Sequence, residues 1–338
     1  MRIVYTGPLT PGSMSTARVD GLRELGHEVT TVDQRPFFRA GTFWSRLQGS
    51  LLIGPAVTAY EQTVITEVFA TRPDLLFVDL AVYLRPPAVR QLRESGTTLL
   101  EYNTDYYGTQ KHIFRHLKHT AYLYDLHVNT NIFNRDILLS WGSRKIVMTQ
   151  FGYDPAEHFP VQPTDAERGR FACDVAFCGH REPFYEEMLR ALKKSGLKLR
   201  VAGRKWVGAD FLGKDEAVGY VTPAEYRAMI CSARIAPTFL SNWNLNTCGT
   251  RTFEVVAMGA FLLGERTDEQ VTYFKEGVEA EFFCSADELV HKAHQYCGNE
   301  VRRMRVAAAG RQRCLQSGYS LLERTRVMME DIEKAKAH

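Results

Sequence analysis

Short apolar runs alternate with amphipathic segments along almost the whole chain. Apolar runs at residues 2–5 and 28–32 enclose a polar loop and an amphipathic stretch that stops near Gly26. The runs DLLFVD at 74–79 and TTLLEYN at 97–103 enclose a second stretch of the same kind. Strands that alternate with helices through short connections predict a parallel sheet. The first part of the chain is therefore predicted to form a Rossmann-like α/β domain.

A proline-rich stretch at 152–170 interrupts this alternation. It contains three prolines and several charges but almost no apolar periodicity, which is typical of a linker. A second series of strands and helices begins near Cys173, and a charged helix follows from about residue 319. The pattern predicts two Rossmann-like domains, 1–155 and 156–318, facing across a cleft. The helix at 319–338 is expected to cross back and pack toward the first domain.

Composition and charge narrow the possible functions. The 338 residues include 42 basic and 39 acidic side chains, and a net charge of +3 does not favour nucleic acid as a partner. No apolar run approaches the length of a membrane span, and the start of the sequence lacks the apolar run of a signal peptide. Seven scattered cysteines indicate reduced thiols. We expect a cytoplasmic protein with at most peripheral contact to the inner face of a membrane.

The segment NTCGTRTFE at 246–254 is the strongest candidate for a ligand site. It follows a predicted strand of the second domain, where parallel sheets bind ligands. Small residues stand at the expected helix start: Thr247, Gly249 and Thr250. Their backbone N–H groups and the side chain of Arg251 suit a diphosphate, and Glu254, on the same helix face, suits a ribose diol. The alternative is an ordinary Arg/Glu pair on a capped helix.

Two further loops of the second domain carry cations behind a glycine. His180 and Arg181 follow Gly179 just before a predicted helix, and Arg204 follows Gly203 at the next strand end. Both loops suit phosphate binding because a helix start and a cation attract the same anion. Solvated polar turns explain the same residues.

The first domain carries polar and aromatic side chains that could serve a reaction in the stretch EYNTDYYGTQKHIFRHLKH at 101–119. A general base can activate a substrate hydroxyl. Three side chains are candidates for that base: Asp105, His112 and His116. Tyr106 and Tyr107 can pack against sugar rings. Two glycines of the first loop, Gly7 and Gly12, allow close approach of a ligand or simply form the turn. A solvated basic helix face, or a patch for an anionic acceptor or lipid surface, explains the histidine and lysine cluster equally well.

The segment RTFEVVAMGAFLLGERTDE at 251–269, with SADELVHKAHQYCGNE and RVAAAGRQRCL after it, resembles the C-terminal half of GT-B glycosyltransferases. The similarity extends from about Cys173 to Tyr319 and is greatest to the CgeB-like spore-protein group and the retaining family four. It implies a GT-B fold, with UDP- or GDP-sugar binding in the second domain and an acceptor site in the first. It places Glu254 at the family's ribose-binding glutamate. Asn246 stands where many retaining members carry a second glutamate, near the transferred sugar.

The predicted activity is transfer of a sugar from a nucleotide-diphosphate sugar to an acceptor hydroxyl. The resemblance favours retention of configuration. The chain contains no Asp-x-Asp, so neither a metal nor a cofactor is expected beyond the nucleotide sugar itself. The acceptor can be a glycan, a lipid-linked molecule, a protein or a small molecule. The alternatives are an epimerase-like GT-B enzyme acting on nucleotide sugars and a non-catalytic nucleotide- or glycan-binding protein. An NAD-dependent oxidoreductase is disfavoured because TGPLTPGSMS lacks GxGxxG.

Overall fold

The computed structural model describes residues 1–38, 42–109 and 111–337. For residue 337 it describes the backbone alone. The chain divides into two compact units. The first unit comprises Met1–Gln150, Trp243–Leu245 and the chain from Leu321 onward. The second unit comprises Phe151–Asn242 and Asn246–Ser320.

The first unit is built on a six-stranded sheet in which all pairs are parallel. Its strands are β1 (Arg2–Gly7), β2 (Glu28–Asp33), β3 (Leu75–Asp79), β4 (Thr98–Asn103), β5 (Leu126–Asn129) and β6 (Ile146–Met148). They are arranged in the order β2-β1-β3-β4-β5-β6. All five residues of β3 are buried, as expected of a strand covered by helices on both faces.

Seven α-helices and one 3-10 turn at Ala121–Leu123 connect these strands in the described part of the first unit. The helices are α1 (Met14–Glu24), α2 (Arg35–Phe38), α3 (Phe43–Leu51), α4 (Pro55–Thr71), α5 (Pro86–Glu94), α6 (Arg115–Lys118) and α7 (Asn134–Ser140). The start of α1 is fixed by Ser13, whose side chain accepts from the backbone N–H of Thr16.

The second unit repeats this plan with a second six-stranded parallel sheet. Its strands are β7 (Cys173–Cys178), β8 (Leu199–Ala202), β9 (Ala217–Gly219), β10 (Ala233–Thr238), β11 (Leu262–Glu265) and β12 (Glu281–Phe283). They are arranged in the order β12-β11-β10-β7-β8-β9. The predicted α/β class, with two Rossmann-like parallel sheets, is confirmed.

The helices of the second unit include one inside the stretch that was predicted to be a linker. They are α8 (Asp165–Phe171), α9 (Pro183–Lys194), α10 (Pro223–Ser232), α11 (Thr250–Ala257), α12 (Gln270–Tyr273), α13 (Ala286–Cys297) and α14 (Glu300–Gln316). Helix α8 forms because Thr164 and Glu167 make a reciprocal capping box and Phe171 is buried in the core.

The last helix, α15 (Leu321–Ala337), belongs to the first unit and packs against α1. Its Met328, Met329 and Ile332 are buried beside side chains of β1 and α1. The expected return of the C-terminal helix to the first domain is thus observed. Within the described ranges, none of the helices combines the length and apolarity that a membrane crossing requires.

The strand orders locate one crevice in each sheet. In the first sheet the connections run in opposite directions from β1 and β3, and in the second from β7 and β10. Parallel sheets bind ligands at the carboxyl ends of such strand pairs. A ligand site in the second unit is therefore expected at the loops after β7 and β10.

Candidate functional site

Helix α11 follows β10 and begins without a side-chain cap. Its N-cap residue is Gly249, which offers no side chain to the first turn, and the first turn contains no acidic residue. The Thr252 N–H donates back to the Gly249 carbonyl at 3.2 Å, whereas the backbone N–H groups of Thr250 and Arg251 have no acceptor among the described residues and lie at the positive end of the helix dipole. This end of α11 therefore suits an anion. The helix start predicted at Gly249 and Thr250 is where the structure has it.

Arg251 and Glu254 lie one turn apart on α11 and contact each other. Arg251 donates from Nη1 to Glu254 Oε2, and the Tyr226 hydroxyl donates to the same oxygen at 3.1 Å. The Arg251 guanidinium also lies over the Tyr226 ring, 4.4 Å from its centroid. Tyr226 on α10 thus holds both members of the charged pair.

A histidine from the stretch before α8 completes this cluster. His158 Nε2 lies 3.8 Å from Glu254 Oε2. The His158 Nδ1 atom accepts from the backbone N–H of Asp154 at 3.0 Å, so Nε2 carries the proton of the neutral ring. The proton-bearing edge of the ring therefore faces the carboxylate.

The charges around Glu254 keep it ionised despite its burial. Burial opposes ionisation, but the charge of Arg251 and the hydrogen bonds from Arg251 and Tyr226 outweigh it, so the pKa of Glu254 lies below its usual range. Glu254 likewise keeps the pKa of Arg251 well above its ordinary value, against the effect of burial. The pair is charged at neutral pH.

Both residues keep groups that a ligand can use. The Arg251 side chain is 41% exposed, and a guanidinium has five N–H donors, so the bond to Glu254 leaves donors for a phosphate. Both hydrogen bonds to the Glu254 carboxylate from the described residues end on Oε2. Its Oε1 therefore remains an acceptor for a hydroxyl.

The loops after β7 and β8 touch through two glycines. A Cβ on Gly203 would lie 2.1 Å from the carbonyl oxygen of Gly179, and Gly203 has a φ of +125°. Trp206 fixes the same contact, because its Nε1 donates to the Gly179 carbonyl at 2.9 Å. Trp206 is fully buried, so it anchors the loop and is not available to stack on a base or sugar.

The three cationic side chains predicted to bind phosphate in these loops have different surroundings. Arg181 pairs with Glu186 at 2.7 Å and donates to the Lys205 carbonyl at 3.3 Å. The Arg181 guanidinium is thus engaged with a carboxylate of α9, and its role as a phosphate ligand stays a prediction. His180 and Arg204 are exposed, and the described residues give neither side chain a partner.

Helix α9 also starts with its own carboxylates. Its N-cap residue is Glu182, whose Oε2 accepts from the Ser241 hydroxyl at 3.1 Å, and Glu186 lies in its first turn. These carboxylates already occupy the positive end of the α9 dipole. The start of α11 is therefore the better seat for an anion.

The residues before α11 are held by the loop after β11. The Thr247 hydroxyl donates to Glu269, and the Thr267 hydroxyl donates to the Thr247 carbonyl at 2.6 Å. The backbone N–H of Asn246 donates to the Ser241 carbonyl at 3.4 Å. Thr247 thus fixes the loop through its side chain, whereas the Asn246 and Thr250 side chains have no hydrogen-bond partner among the described residues.

The first unit holds the predicted bases in separate environments. The Asp105 carboxylate accepts from the Asn244 amide at 3.0 Å. His116 Nε2 donates to the Leu52 carbonyl at 3.0 Å, and burial lowers the pKa of this imidazole. His112 is exposed and has no partner among the described residues. His116 supports the local packing, which leaves Asp105 and His112 as candidates for the base.

Tyr107 does not face a ligand, contrary to the prediction. It is fully buried, its hydroxyl donates to the Glu101 carboxylate at 3.0 Å, and its ring packs on Phe114 and Trp141. The sequence does not distinguish the two adjacent tyrosines, although Tyr106 is partly exposed and Tyr107 is buried. Tyr106 therefore remains the only one of the two that can contact a sugar.

The two glycines of the first loop have structural reasons to be glycine. A Cβ on Gly7 would lie 2.8 Å from Cβ of Asp79, so a side chain does not fit at the end of β1. Gly12 has a φ of +72° in a turn closed by the Ser13 N–H and the Thr10 carbonyl at 2.9 Å. The turn alone thus explains Gly12, and a ligand is not needed to explain Gly7.

A buried ion pair fills the crevice between β1 and β3. Arg18 Nη1 lies 2.9 Å from Asp79 Oδ2 and 2.9 Å from the Tyr5 hydroxyl, which itself donates to Asp79. The Arg18 guanidinium lies 3.8 Å from the centroid of the Tyr102 ring. Arg18 is 4% and Asp79 7% exposed, so this cluster supports the first unit from inside.

Sequence reasoning missed His158 and Tyr226. His158 lies in the stretch predicted to be a linker, and Tyr226 lies on an otherwise ordinary amphipathic helix. A buried tyrosine needs a partner for its hydroxyl, which is the one signal that Tyr226 offered. Nothing in the spacing links either residue to Glu254.

Known proteins resemble the chain in sequence over part of its length and in fold over its full length. Residues 181–330 match a glycosyl transferase-like family model. The matched region contains α11 with Arg251 and Glu254, and also Tyr226. No curated protein sequence matches the chain.

Solved structures share the fold over the full length. The sucrose-phosphate synthase of Thermosynechococcus elongatus superposes with a TM-score of 0.73 and 12% identity, covering 100% of this chain and 99% of that one. The Anabaena protein HepE in complex with UDP-glucose gives 0.68 and 11%, covering 99% and 100%. A putative UDP-N-acetylglucosamine 2-epimerase from Listeria monocytogenes gives 0.61 and 11%, covering 98% and 95%. The fold is GT-B, as the resemblance implied.

Proposed function

We propose that this protein is a glycosyltransferase that moves a sugar from a nucleoside diphosphate to an acceptor hydroxyl. The observation that carries the proposal is the uncapped start of α11, with Arg251 partly exposed and Glu254 held through one oxygen only. The glycosyl transferase-like match over residues 181–330 and the UDP-glucose complex of the similar HepE support the same conclusion.

The donor would bind with its diphosphate at the start of α11 and its ribose beside Glu254. Backbone N–H groups after Gly249 and the Arg251 guanidinium supply donors to phosphate oxygens. Glu254 Oε1 supplies an acceptor to a ribose hydroxyl. Tyr226 and His158 position this carboxylate and do not themselves need to touch the donor.

The reaction breaks the bond between the anomeric carbon and the diphosphate oxygen and forms a bond to the acceptor oxygen. Negative charge grows on the departing diphosphate, and fixed cations and helix dipoles stabilise it. Arg251, the α11 N-terminus and the exposed Arg204 are suited to this task. We therefore propose a reaction that does not require a divalent metal ion.

For the stereochemistry we propose retention, with the departing phosphate oxygen taking the proton of the acceptor hydroxyl. Asp105, His112 and Tyr106 then orient the acceptor in the first unit. In an inverting reaction one of Asp105 and His112 would instead accept that proton. The anomeric configuration of the product distinguishes the two courses.

Slow donor hydrolysis tests the activity without knowledge of the acceptor. The purified protein is incubated with UDP-glucose, GDP-mannose and related donors, with and without EDTA, and release of nucleoside diphosphate is measured. We expect release from one donor class, unchanged by EDTA and abolished in Arg251→Ala. Release that needs added metal would contradict metal independence, and absence of release from every donor would contradict the proposed enzyme.

Epimerisation of a nucleotide sugar is a second candidate, because the putative 2-epimerase from Listeria monocytogenes has the same fold. The same incubation separates the two functions. An epimerase converts the intact nucleotide sugar to its epimer, whereas a transferase leaves the sugar configuration of unreacted donor unchanged. Binding of a nucleotide without any conversion would indicate a non-catalytic binding protein.

A further inference from the structure

Helix α3 in the first unit exposes large apolar side chains along one face. Phe43 and Trp44 are each 67% exposed, and Leu47 and Leu51 are exposed as well. At about 100° per residue these four positions fall within an arc of roughly 100°. We call them the apolar face of α3. Soluble surfaces rarely gather so many large apolar groups on one short helix without a partner.

The opposite side of α3 packs on the protein, so its exposed face is fixed. A Cβ on Gly49 would lie 2.9 Å from the Phe38 ring, which places that side of the helix against α2. Thr42 caps the helix start by accepting from the Ser45 N–H at 3.3 Å. The helix is therefore held in place with its apolar face outward.

A basic segment adjoins the C-terminal end of α3. It comprises residues 111–119, in which Lys111, Arg115 and Lys118 are exposed. Arg115 donates to the Leu51 carbonyl, and His116 Nε2 contacts the Leu52 carbonyl at 3.0 Å. These two bonds join the basic segment to the apolar face.

The sequence around α3 and the sequence around the basic segment both lack acidic residues. Residues 34–60 and 106–124 contain no aspartate or glutamate. Arg46 on α3 adds a further exposed cation beside the apolar face. The surface thus combines apolar and cationic groups without any carboxylate from its own segments to repel an anion.

We propose that the apolar face of α3 and the basic segment form a docking surface for an anionic phospholipid membrane. Tryptophan and phenylalanine suit the interface between lipid headgroups and acyl chains, and lysine and arginine suit anionic headgroups. A second copy of the chain fits less well, because a symmetric contact through this surface would bring the two basic segments together. The surface does not depend on the proposed donor chemistry.

Vesicle flotation tests the proposal with the full chain. Vesicles of phosphatidylcholine alone are compared with vesicles containing about one-third phosphatidylglycerol, at about 0.1 M and about 0.5 M NaCl. We expect binding to the anionic vesicles and weaker binding at the higher salt concentration. The Phe43→Ser/Trp44→Ser variant should bind about ten-fold or more weakly. Lys111→Glu/Lys118→Glu should lose binding in the same assay.

A matched control removes apolar groups elsewhere. Tyr220 and Val301 are 79% and 82% exposed in the second unit, so the Tyr220→Ser/Val301→Ser variant should bind like the unchanged protein. Melting curves check that all variants are folded. Absence of binding to anionic vesicles, or equal binding by Phe43→Ser/Trp44→Ser, would overturn the proposal. A stable dimer that Phe43→Ser/Trp44→Ser dissociates would overturn it in favour of a second copy.

Fluorescence quenching reports insertion of the helix itself. Brominated phospholipids in the anionic vesicles should quench Trp44, and the Trp44→Phe variant should lose that part of the quenching. Trp243 is 63% exposed and serves as the control, since Trp243→Phe should retain it. Quenching that disappears with Trp243→Phe and persists with Trp44→Phe would contradict docking through α3.

Discussion

Arg251 and Glu254 are ion-paired on α11, and Tyr226 donates to the same Glu254 oxygen at 3.1 Å. This arrangement combines the two interpretations of the segment at 246–254. The pair is intrahelical, as in an ordinary charged helix, yet it leaves Glu254 Oε1 and most Arg251 donors for a ligand. The helix is not capped by a side chain, so the backbone N–H groups of Thr250 and Arg251 are available too.

Glu254→Ala should weaken binding of a nucleoside diphosphate roughly ten- to one-hundred-fold, because a hydrogen bond to a charged group is lost. A thermal-shift panel of UDP, GDP, dTDP, CMP and NAD identifies the ligand that stabilises the unchanged protein. The shift with that ligand should then shrink in Glu254→Ala. Glu323→Ala, which alters an exposed pair on α15, should keep it. Stabilisation by NAD alone would contradict the proposed donor site.

The stability of the protein should depend on the ionisation of Glu254. Its pKa is lowered in the folded protein from an ordinary value of 4.5, so ionised Glu254 stabilises the fold above that pH. This contribution is lost as the pH falls below 4.5 and through the lowered pKa. The free energy of unfolding should therefore fall less between about pH 6 and about pH 3 in Glu254→Gln than in the unchanged protein. An equal loss of unfolding free energy in Glu254→Gln and in the unchanged protein would show that another group dominates the pH dependence.

Gly203→Ala should destabilise the second unit more than Gly208→Ala does. Both glycines have positive φ, +125° and +84°, and strain of this kind costs roughly 1–3 kcal/mol. Only at Gly203 would the added Cβ collide with the Gly179 backbone, whereas the space around Gly208 is open. Urea denaturation compares the two variants. Equal destabilisation would mean that the contact with Gly179 relaxes freely.

Arg18→Met should lower the free energy of unfolding by about 3–5 kcal/mol, because it leaves the Asp79 carboxylate buried without its cation. Arg326→Met provides the control, since Arg326 pairs with Glu323 and Glu330 on an exposed face of α15 and its loss should matter little. Asp79→Asn added to Arg18→Met should recover part of the lost stability, measured by urea denaturation. Failure to recover any would indicate that packing against Tyr102 is the larger contribution.

Local sequence patterns predicted most of the fold correctly. The start of α11 at Thr250 and the buried strand β3 follow from small residues before an amphipathic run and from a short continuous apolar run. Helix α8 was missed because its capping box at Thr164 and Glu167 stands among prolines with a single apolar anchor, Phe171. A local signal was present there, but the surrounding composition indicated a linker.

The site was harder to predict because tertiary contacts assemble it. The pairing of Arg251 with Glu254 follows from helical spacing, whereas the approach of His158 and Tyr226 depends on how the chain returns to α11. Tyr107 shows the same limit in the first unit. Its burial depends on Glu101 and on helices that follow it, and adjacent sequence positions do not reveal which of two tyrosines points inward.

The packing of α15 on α1 has a consequence for synthesis of the chain. Met328 and Ile332 complete a core that already includes Ile3 and Val19, yet the whole second unit lies between these two pairs of residues in the sequence. At about 5–20 residues per second, a ribosome needs on the order of fifteen to sixty seconds to translate the roughly 300 residues between Val19 and Met328. During this time the nascent first unit exposes the apolar side of β1 and α1 that α15 later covers. We therefore expect it to be a substrate for chaperones until translation reaches the final helix.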